Sequence, residues 1–287
     1  MEAGKDKVRG DPKKIIKTLA PMIFGKIAQL SEEQKNQLLE KMAKRFSRKD
    51  LLVYFKDPII QKYAKELGAI GEVYELPKGF AGEYLAVVNT NVAGGKSDAR
   101  IDQKISFRSV LDVDGSASSK VIIERAHSGA PTDEWWYRAT NRNFVQLYTT
   151  PGSILKKVGG STKRKVEPTV DYAKRSDYAV DRDLALFESS DLPFGKSLFA
   201  NWLYVKAGEK GRLTLDYTRD KVINLNSGGA YRFVFDKQSG VGGSLEVTLV
   251  APEGFRWKES GAGEFSYSSQ DLPSRVILDL NLEAIPR

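Results

Sequence analysis

The chain changes rhythm once. From Ile15 to Leu67 apolar residues recur at helical spacing, and from Gly71 onward they recur at every second position. Ile15, Ile16, Leu19, Ala20, Ile23, Ile27 and Leu30 form one stripe, with Pro21 inside it, where a kink or a break is expected. Ser31 followed by Gln34 is a capping-box signal for a second helix with Leu38, Leu39, Met42 and Phe46 on one face. Ser47 is a candidate cap for a third, through Leu51, Leu52 and Phe55. Asp57-Pro58 restarts helix, with Asp at the N-cap and Pro at the first helical position. Ile59, Ile60, Tyr63 and Leu67 are expected to face inward, and Gly68 to end the helix.

The period-two region predicts strands at Gly82 to Val92, Ile101 to Val113, Lys120 to His127 and Phe144 to Thr150. Six more follow at Asn201 to Lys206, Gly211 to Tyr217, Ala230 to Lys237, Ser244 to Val250, Glu264 to Ser268 and Arg275 to Leu282. Alternation through Ile101, Ile105, Phe107 and Val110 is imperfect, which predicts a bulge in a long strand. Asp114-Gly115 marks a hairpin turn. Residues 161–191 hold little periodicity and read as a polar insertion, with a short helix near Asp181 to Phe187. The fold class is therefore mainly β: an antiparallel β-sandwich, immunoglobulin-like or jelly-roll-like, preceded by three to four short helices. The division expected is a basic helical section over 1–67 and a sandwich domain over 68–287. No internal repeat is evident.

Charge adds one feature to this picture. Of the net +8, most sits in residues 1–66, which hold sixteen Lys and Arg against nine Asp and Glu. A basic helical section suits an anionic membrane surface, a wall polymer or nucleic acid, and a solvated helix face is the plainer alternative. No apolar run approaches the roughly 20 residues that cross a bilayer. The nearest, Thr18 to Leu30, is short and contains Lys26. The start lacks the apolar core of a secretory signal, so the chain as it stands is expected to be soluble, with any anchor in a segment outside it. With no cysteine, thiolate chemistry, disulfides and zinc ribbons are excluded. A single histidine, His127, cannot build a multi-histidine metal site.

Several words of sequence, in order, resemble a bacterial envelope-protein family catalogued as a domain of unknown function, number four thousand and twelve. They begin at Leu51-Leu-Val-Tyr-Phe-Lys-Asp-Pro-Ile-Ile-Gln61, Gly68-Ala-Ile-Gly71 and Glu83-Tyr-Leu-Ala-Val-Val-Asn-Thr-Asn91. Gly94-Gly-Lys-Ser-Asp98 is the most specific, followed by Gln146-Leu-Tyr-Thr-Thr-Pro-Gly-Ser153. Gly195-Lys-Ser-Leu-Phe199, Leu213-Thr-Leu-Asp-Tyr217 and Tyr231-Arg-Phe-Val-Phe-Asp-Lys-Gln-Ser-Gly240 complete the set. The resemblance spans 47–250, with 161–191 matching poorly. It implies an extracytoplasmic module associated with surface polysaccharide, anchored through an N-terminal membrane helix that this chain lacks, and it brings no catalytic mechanism.

Four constellations are candidates for chemistry. In Gly94-Gly-Lys-Ser-Asp98 the glycines free the backbone to approach an anion and Lys96 is placed to pair with it, but the spacing is not that of a phosphate loop. A Ser97–Lys96 nucleophile pair is awkward, because neighbours on an extended chain point to opposite faces. A tight loop joining two strands is the favoured reading. His127 has no nucleophile elbow near it and is expected to hydrogen-bond locally. Trp135, Trp136 and Tyr137 with Arg138 and Arg142 form a dense aromatic and basic patch suited to stacking on sugar rings or bases, with at least one ring expected in the core. Asp112, Asp114, Asp216 and Asp220 are conceivable calcium ligands, but turn and strand-end roles fit their spacing better.

The ligand-binding candidates are thus Lys96, Ser97, Asp98, Trp135, Trp136, Tyr137 and Arg138, with no catalytic set, metal or cofactor expected. The expected function is a non-catalytic cell-envelope module that is structural or binds surface polysaccharide, wall polymer or a protein. The rival is a glycan-active hydrolase or transferase working with two carboxylates. Nucleic acid is the least favoured partner, since the β region is nearly neutral.

Overall fold

The computed structural model describes residues 14–163, 188–189, 193–225 and 229–286. Most of the expected polar insertion, including the short helix expected at 181–187, lies outside them. Three helices come first among the described residues: α1 (Lys14–Ala28), α2 (Glu32–Phe46) and α3 (Pro58–Glu66). Ser31 and Gln34 make the expected reciprocal capping box on α2, and the Asp57 carboxylate accepts the Ile59 and Ile60 N–H groups at the start of α3. Gly68 ends α3 at a φ of +66°.

The structure differs from the expectation at three places in this section. The break that was one of two outcomes expected at Pro21 does not occur, since Pro21 lies inside one continuous α1. Ser47 caps the C-terminus of α2 instead of opening a helix, and residues 51–55 run without helix, with the Val53 N–H donating to Ala69 O and the Phe55 N–H to Gln61 Oε1. The α3 residues Ile59, Ile60, Tyr63 and Leu67 face solvent, and only Ala64 of that helix is buried. Helical periodicity reports a face but not what covers it.

Beyond the helices the chain builds two packed sheets. Strands β1 (Gly82–Asn91), β4 (Asn141–Thr149), β6 (Glu188–Ser189), β7 (Ser197–Val205), β9 (Ala230–Lys237), β11 (Phe255–Trp257) and β13 (Arg275–Ala284) form the first, in the order β11-β13-β9-β1-β4-β7-β6. The second holds β2 (Ile101–Leu111), β3 (Ala117–His127), β5 (Ile154–Gly159), β8 (Lys210–Arg219), β10 (Ser244–Val250) and β12 (Glu264–Ser269), in the order β12-β10-β2-β3-β8-β5. The inward phases of both sheets make one core, with Phe107 and Phe233 stacked across it at 4.9 Å.

The sheets are mixed, where an antiparallel immunoglobulin-like or jelly-roll-like sandwich was expected: β1 runs parallel to β9, and β2 parallel to β10. The cause is a repeated path. The chain goes from the first sheet (β1) to the second (β2, β3) and back (β4), then repeats that arch with β9, β10, β12 and β13. Two arches laid side by side in the same sense pair their leading strands in parallel. Sequence comparison within the chain gives no hint of this repeat.

The second sheet shows clean burial alternation and carries cross-strand ion pairs such as Lys104–Glu246 and Arg108–Glu264 on its outer face. The first sheet is covered on both faces near its middle, so Gly82 to Val87 of β1 are all buried. Tyr74, Leu76 and Phe80 supply part of the outer cover over Tyr84, Ala86 and Val234. Strand β2 has no bulge: it pairs with β3 in unbroken register. Its pattern looks irregular because Gln103 and Ser109 occupy inward positions.

Candidate functional site

At one end of the sandwich the inward positions change from apolar to polar on four strands at once. On β1, Leu85 and Val87 give way to Asn89. On β3, Val121 and Ile123 give way to Arg125 and His127. On β2 and β4, the inward residues Gln103, Asn141 and Asn143 precede the apolar run. Antiparallel pairing brings these positions together, with Gln103 opposite Arg125 and Asn91 opposite Asn143.

Arg125 is the hub. Its Nη1 donates to Asn89 Oδ1 at 2.6 Å and to Gln103 Oε1 at 2.8 Å, and its Nη2 to Asp98 Oδ1 at 3.1 Å and Asn141 Oδ1 at 3.2 Å. The residue is 3% exposed. Burial pulls the guanidinium down to about 10 while Asp98 holds it up, so it stays charged at neutral pH. Among the described residues Arg125 Nε and Asn143 Oδ1 have no hydrogen-bond partner. Beside this network lies a cavity of about 200 Å³ lined by Asn89, Asp98, Gln103, Arg125 and the turn Gln238–Gly242. Gln238 is fixed there by exchanging bonds with both backbone groups of Asn89.

The predicted loop Gly94 to Asp98 closes this end, and its three candidates part company. Ser97 is fully buried; it donates to Gly94 O at 2.7 Å and accepts from Asn91 and Asn141 amides. It locks the loop and faces no ligand space. Lys96 is exposed, and its N–H donates to Trp136 O. Asp98 lines the cavity with its side chain 54% exposed, while Oδ1 accepts from Arg125 and Asn141. Gly95 needs its left-handed backbone and its missing side chain, because a Cβ there would lie 2.7 Å from Trp136 O.

That same contact ties the aromatic patch to the loop. Trp135, Trp136, Tyr137 and Arg138 sit in a turn between β3 and β4, so the strand argument that placed one of the rings in the core does not apply. Trp135 is 65% exposed, edge-on to Trp136 at 5.7 Å, and Trp136 and Tyr137 are half-buried. Arg100 lies over the Tyr137 ring and pairs with Asp133, which holds the turn in place. Arg138 is exposed. Six of the seven predicted residues thus border one end of the sandwich, and Ser97 supports them from inside. Reasoning from the sequence missed Asn89, Gln103, Arg125, Asn141 and Gln238. The signal for the first four was present: polar residues in phase with a buried stripe.

The other candidates are accounted for locally. His127 Nδ1 accepts the Gly129 N–H and its Nε2 donates to Ala139 O, which fixes the tautomer and leaves neither nitrogen for a base role. Asp112 and Asp114 accept turn N–H groups, and Asp216 pairs with Lys120. Among the described residues no three His, Asp or Glu side chains converge as a metal site.

No family model and no curated protein matches the chain. Among solved structures, a Legionella pneumophila protein described as a "putative nutrient binding protein" is similar over 71% of this chain and 71% of its own, at 11% identity and a TM-score of 0.38.

Proposed function

We propose that the protein is a non-catalytic, extracytoplasmic cell-envelope module whose sandwich end binds a surface polysaccharide. The observation that carries this is the polar cavity on the Arg125 network; the exposed Trp135 stands on the turn whose Trp136 carbonyl accepts the Lys96 N–H of the loop that ends in Asp98. Planar amide, carboxylate and guanidinium groups donate and accept in fixed directions, as vicinal sugar hydroxyls require. An indole face supplies the apolar surface on which the C–H face of a pyranose stacks. The envelope location rests on the family resemblance, and the excess of Lys and Arg in the helical section suits an anionic wall polymer.

Asp98 is the one carboxylate among the described residues lining the cavity. A glycosidase needs two carboxyl groups facing each other across about 5–5.5 Å or 6.5–9.5 Å. That favours binding over turnover.

The test is retention on immobilised wall and capsular polysaccharides, followed by titration with the oligosaccharide that competes. Trp135→Ala and Asp98→Asn are each expected to weaken binding about tenfold, equivalent to about 1.4 kcal/mol, with the fold intact by circular dichroism. Absence of any glycan retention, or variants that bind like the parent, would sink the reading. Release of reducing ends during the incubation would hand the site to the enzyme alternative.

A further inference from the structure

The outer face of the first sheet carries a second cavity, of about 320 Å³, whose walls are nearly all apolar. Strand β1 contributes Ala86 and Val88 and β4 contributes Tyr148. The segment leading into the sandwich closes the cavity with Leu52 and Val73, and Phe194 stands at its rim. Phe194 is 70% exposed at a φ of +57°, a costly backbone for a residue with a side chain.

The polar part of this cavity is a cation with poor pairing. Lys49 lines it, with its side chain 9% exposed and its own φ at +55°. Its ammonium lies 3.5 Å from Asp236 Oδ1, beyond ordinary hydrogen-bond length. Asp236 has nearer partners: Arg275 Nε at 2.6 Å on the same oxygen, and the Tyr74 N–H at 2.8 Å and Tyr84 hydroxyl at 3.0 Å on the other. A buried ammonium and a partly exposed guanidinium therefore share one carboxylate that Arg275 already neutralises. The neighbouring lysines do not rebalance this. Lys196, over the Tyr84 ring, is held by the Tyr74 and Phe194 carbonyls, and Lys237 by the Arg48 carbonyl and Asp50. Glu72, also in the lining, pairs with Lys65 at 2.5 Å. Burial lowers the Lys49 pKa, the direction expected for an ammonium short of counter-charge.

We infer that this cavity is a binding site for an amphiphile with a single carboxylate head, its apolar body between β1, β4 and Leu52 and its head on Lys49. Such a ligand supplies the missing negative charge where desolvation makes it most valuable, and fills a volume that water solvates poorly. A neutral apolar ligand would fill the volume but leave the ammonium as it is. The site adjoins the proposed sugar cavity through Gln238 and Ser239, but Asp98, Gln103 and Arg125 line only the latter.

The experiment is isothermal titration of the full chain with octanoate and with 1-octanol. Octanoate is expected to bind at least tenfold more tightly than the alcohol. Lys49→Met is expected to remove that preference while keeping alcohol binding, and Val88→Trp, which fills the cavity without touching the ion cluster, to abolish both. Equal affinity of the parent for acid and alcohol, or a preference that survives Lys49→Met, overturns the inference. Octanoate binding that is unchanged in Val88→Trp places the acid elsewhere and overturns it too. Trp135→Ala, which tests the sugar site, is expected to leave octanoate affinity unchanged.

Discussion

Two buried charges decide how the polar parts of this protein behave. Arg125 has four acceptors, and all of them are arranged around a cation. Arg125→Met leaves the Gln103 and Asn141 carbonyls buried with no donor, while Asn89 keeps the Asn143 amide, so it is expected to cost about 3–5 kcal/mol, read as a lowered urea midpoint at unchanged slope. Asp98→Asn keeps an oxygen for Arg125 at a half-exposed position and is expected to cost about 1 kcal/mol or less. Asp236 works in the opposite sense. Burial pushes its carboxyl up, but the Arg275 hydrogen bond, the Lys49 charge and the Tyr74 N–H together hold it below its ordinary 3.8. A group depressed in the folded state stabilises fully above its unfolded pKa, and that stabilisation is lost as pH falls through the folded value. Asp236→Asn is therefore expected to lose stability at neutral pH and to show a shallower further loss between pH 7 and about pH 3 than the parent, measured by urea midpoints at the two pH values. An equal acid loss in both proteins would remove Asp236 from the explanation.

Elements differ in how much the rest of the molecule holds them. No described side chain of α1 is buried, and its large apolar residues from Ile15 to Ile27 are all at least 38% exposed. Deleting 14–28 is expected to leave the thermal midpoint of the sandwich within about 2 °C, because little apolar area leaves water in that contact. Strand β1 is the converse. Gly82 opens it at a φ of +131°, and a Cβ there would stand 1.9 Å from Arg232 O on the parallel neighbour β9. Gly82→Ala is expected to cost at least about 2 kcal/mol, since both the backbone strain and the separation of β1 from β9 act against it. The alternating strands were legible in the sequence, because one wet face forces period two: β2, β3, β8 and β10 all lie where alternation puts them. Strands β5 and β11 were not. The first is an edge with a register shift between Leu155 and Lys157, and the second has three residues, too few to show a period. The loop from Gly94 to Asp98 was legible by its unusual composition, whereas Arg125 and its amides were overlooked because polar residues in a strand read as solvent-facing until phase is counted.

For the whole molecule, the two-arch path sets both folding and failure. The parallel order escaped the sequence reading because alternation specifies faces but not neighbours, and β1 and β9 meet only after more than half the chain has intervened. That long closure must be completed before the centre of either sheet exists, so folding is expected to be slow, in the millisecond-to-second range of β-rich topologies. It also makes the second arch indispensable to the first. Without β9 and β10, the inner edges of β1 and β2 lose their partners, and Leu85, Val87, Ile105 and Phe107 lose the side of the core formed by Phe233, Phe235, Leu245 and Val247. A chain ending at residue 225 is therefore expected to be soluble only as an aggregate or a loosely collapsed species, with strand signal in the far ultraviolet but no near-ultraviolet aromatic signature and no cooperative urea transition. Adding the separately produced segment 226–287 during refolding is expected to restore both, because every contact between the arches is non-covalent. A cooperative transition in the truncated chain alone would mean that the first arch, closed by β7 and β8, is a domain in its own right and that the parallel seams are an interface instead of a core.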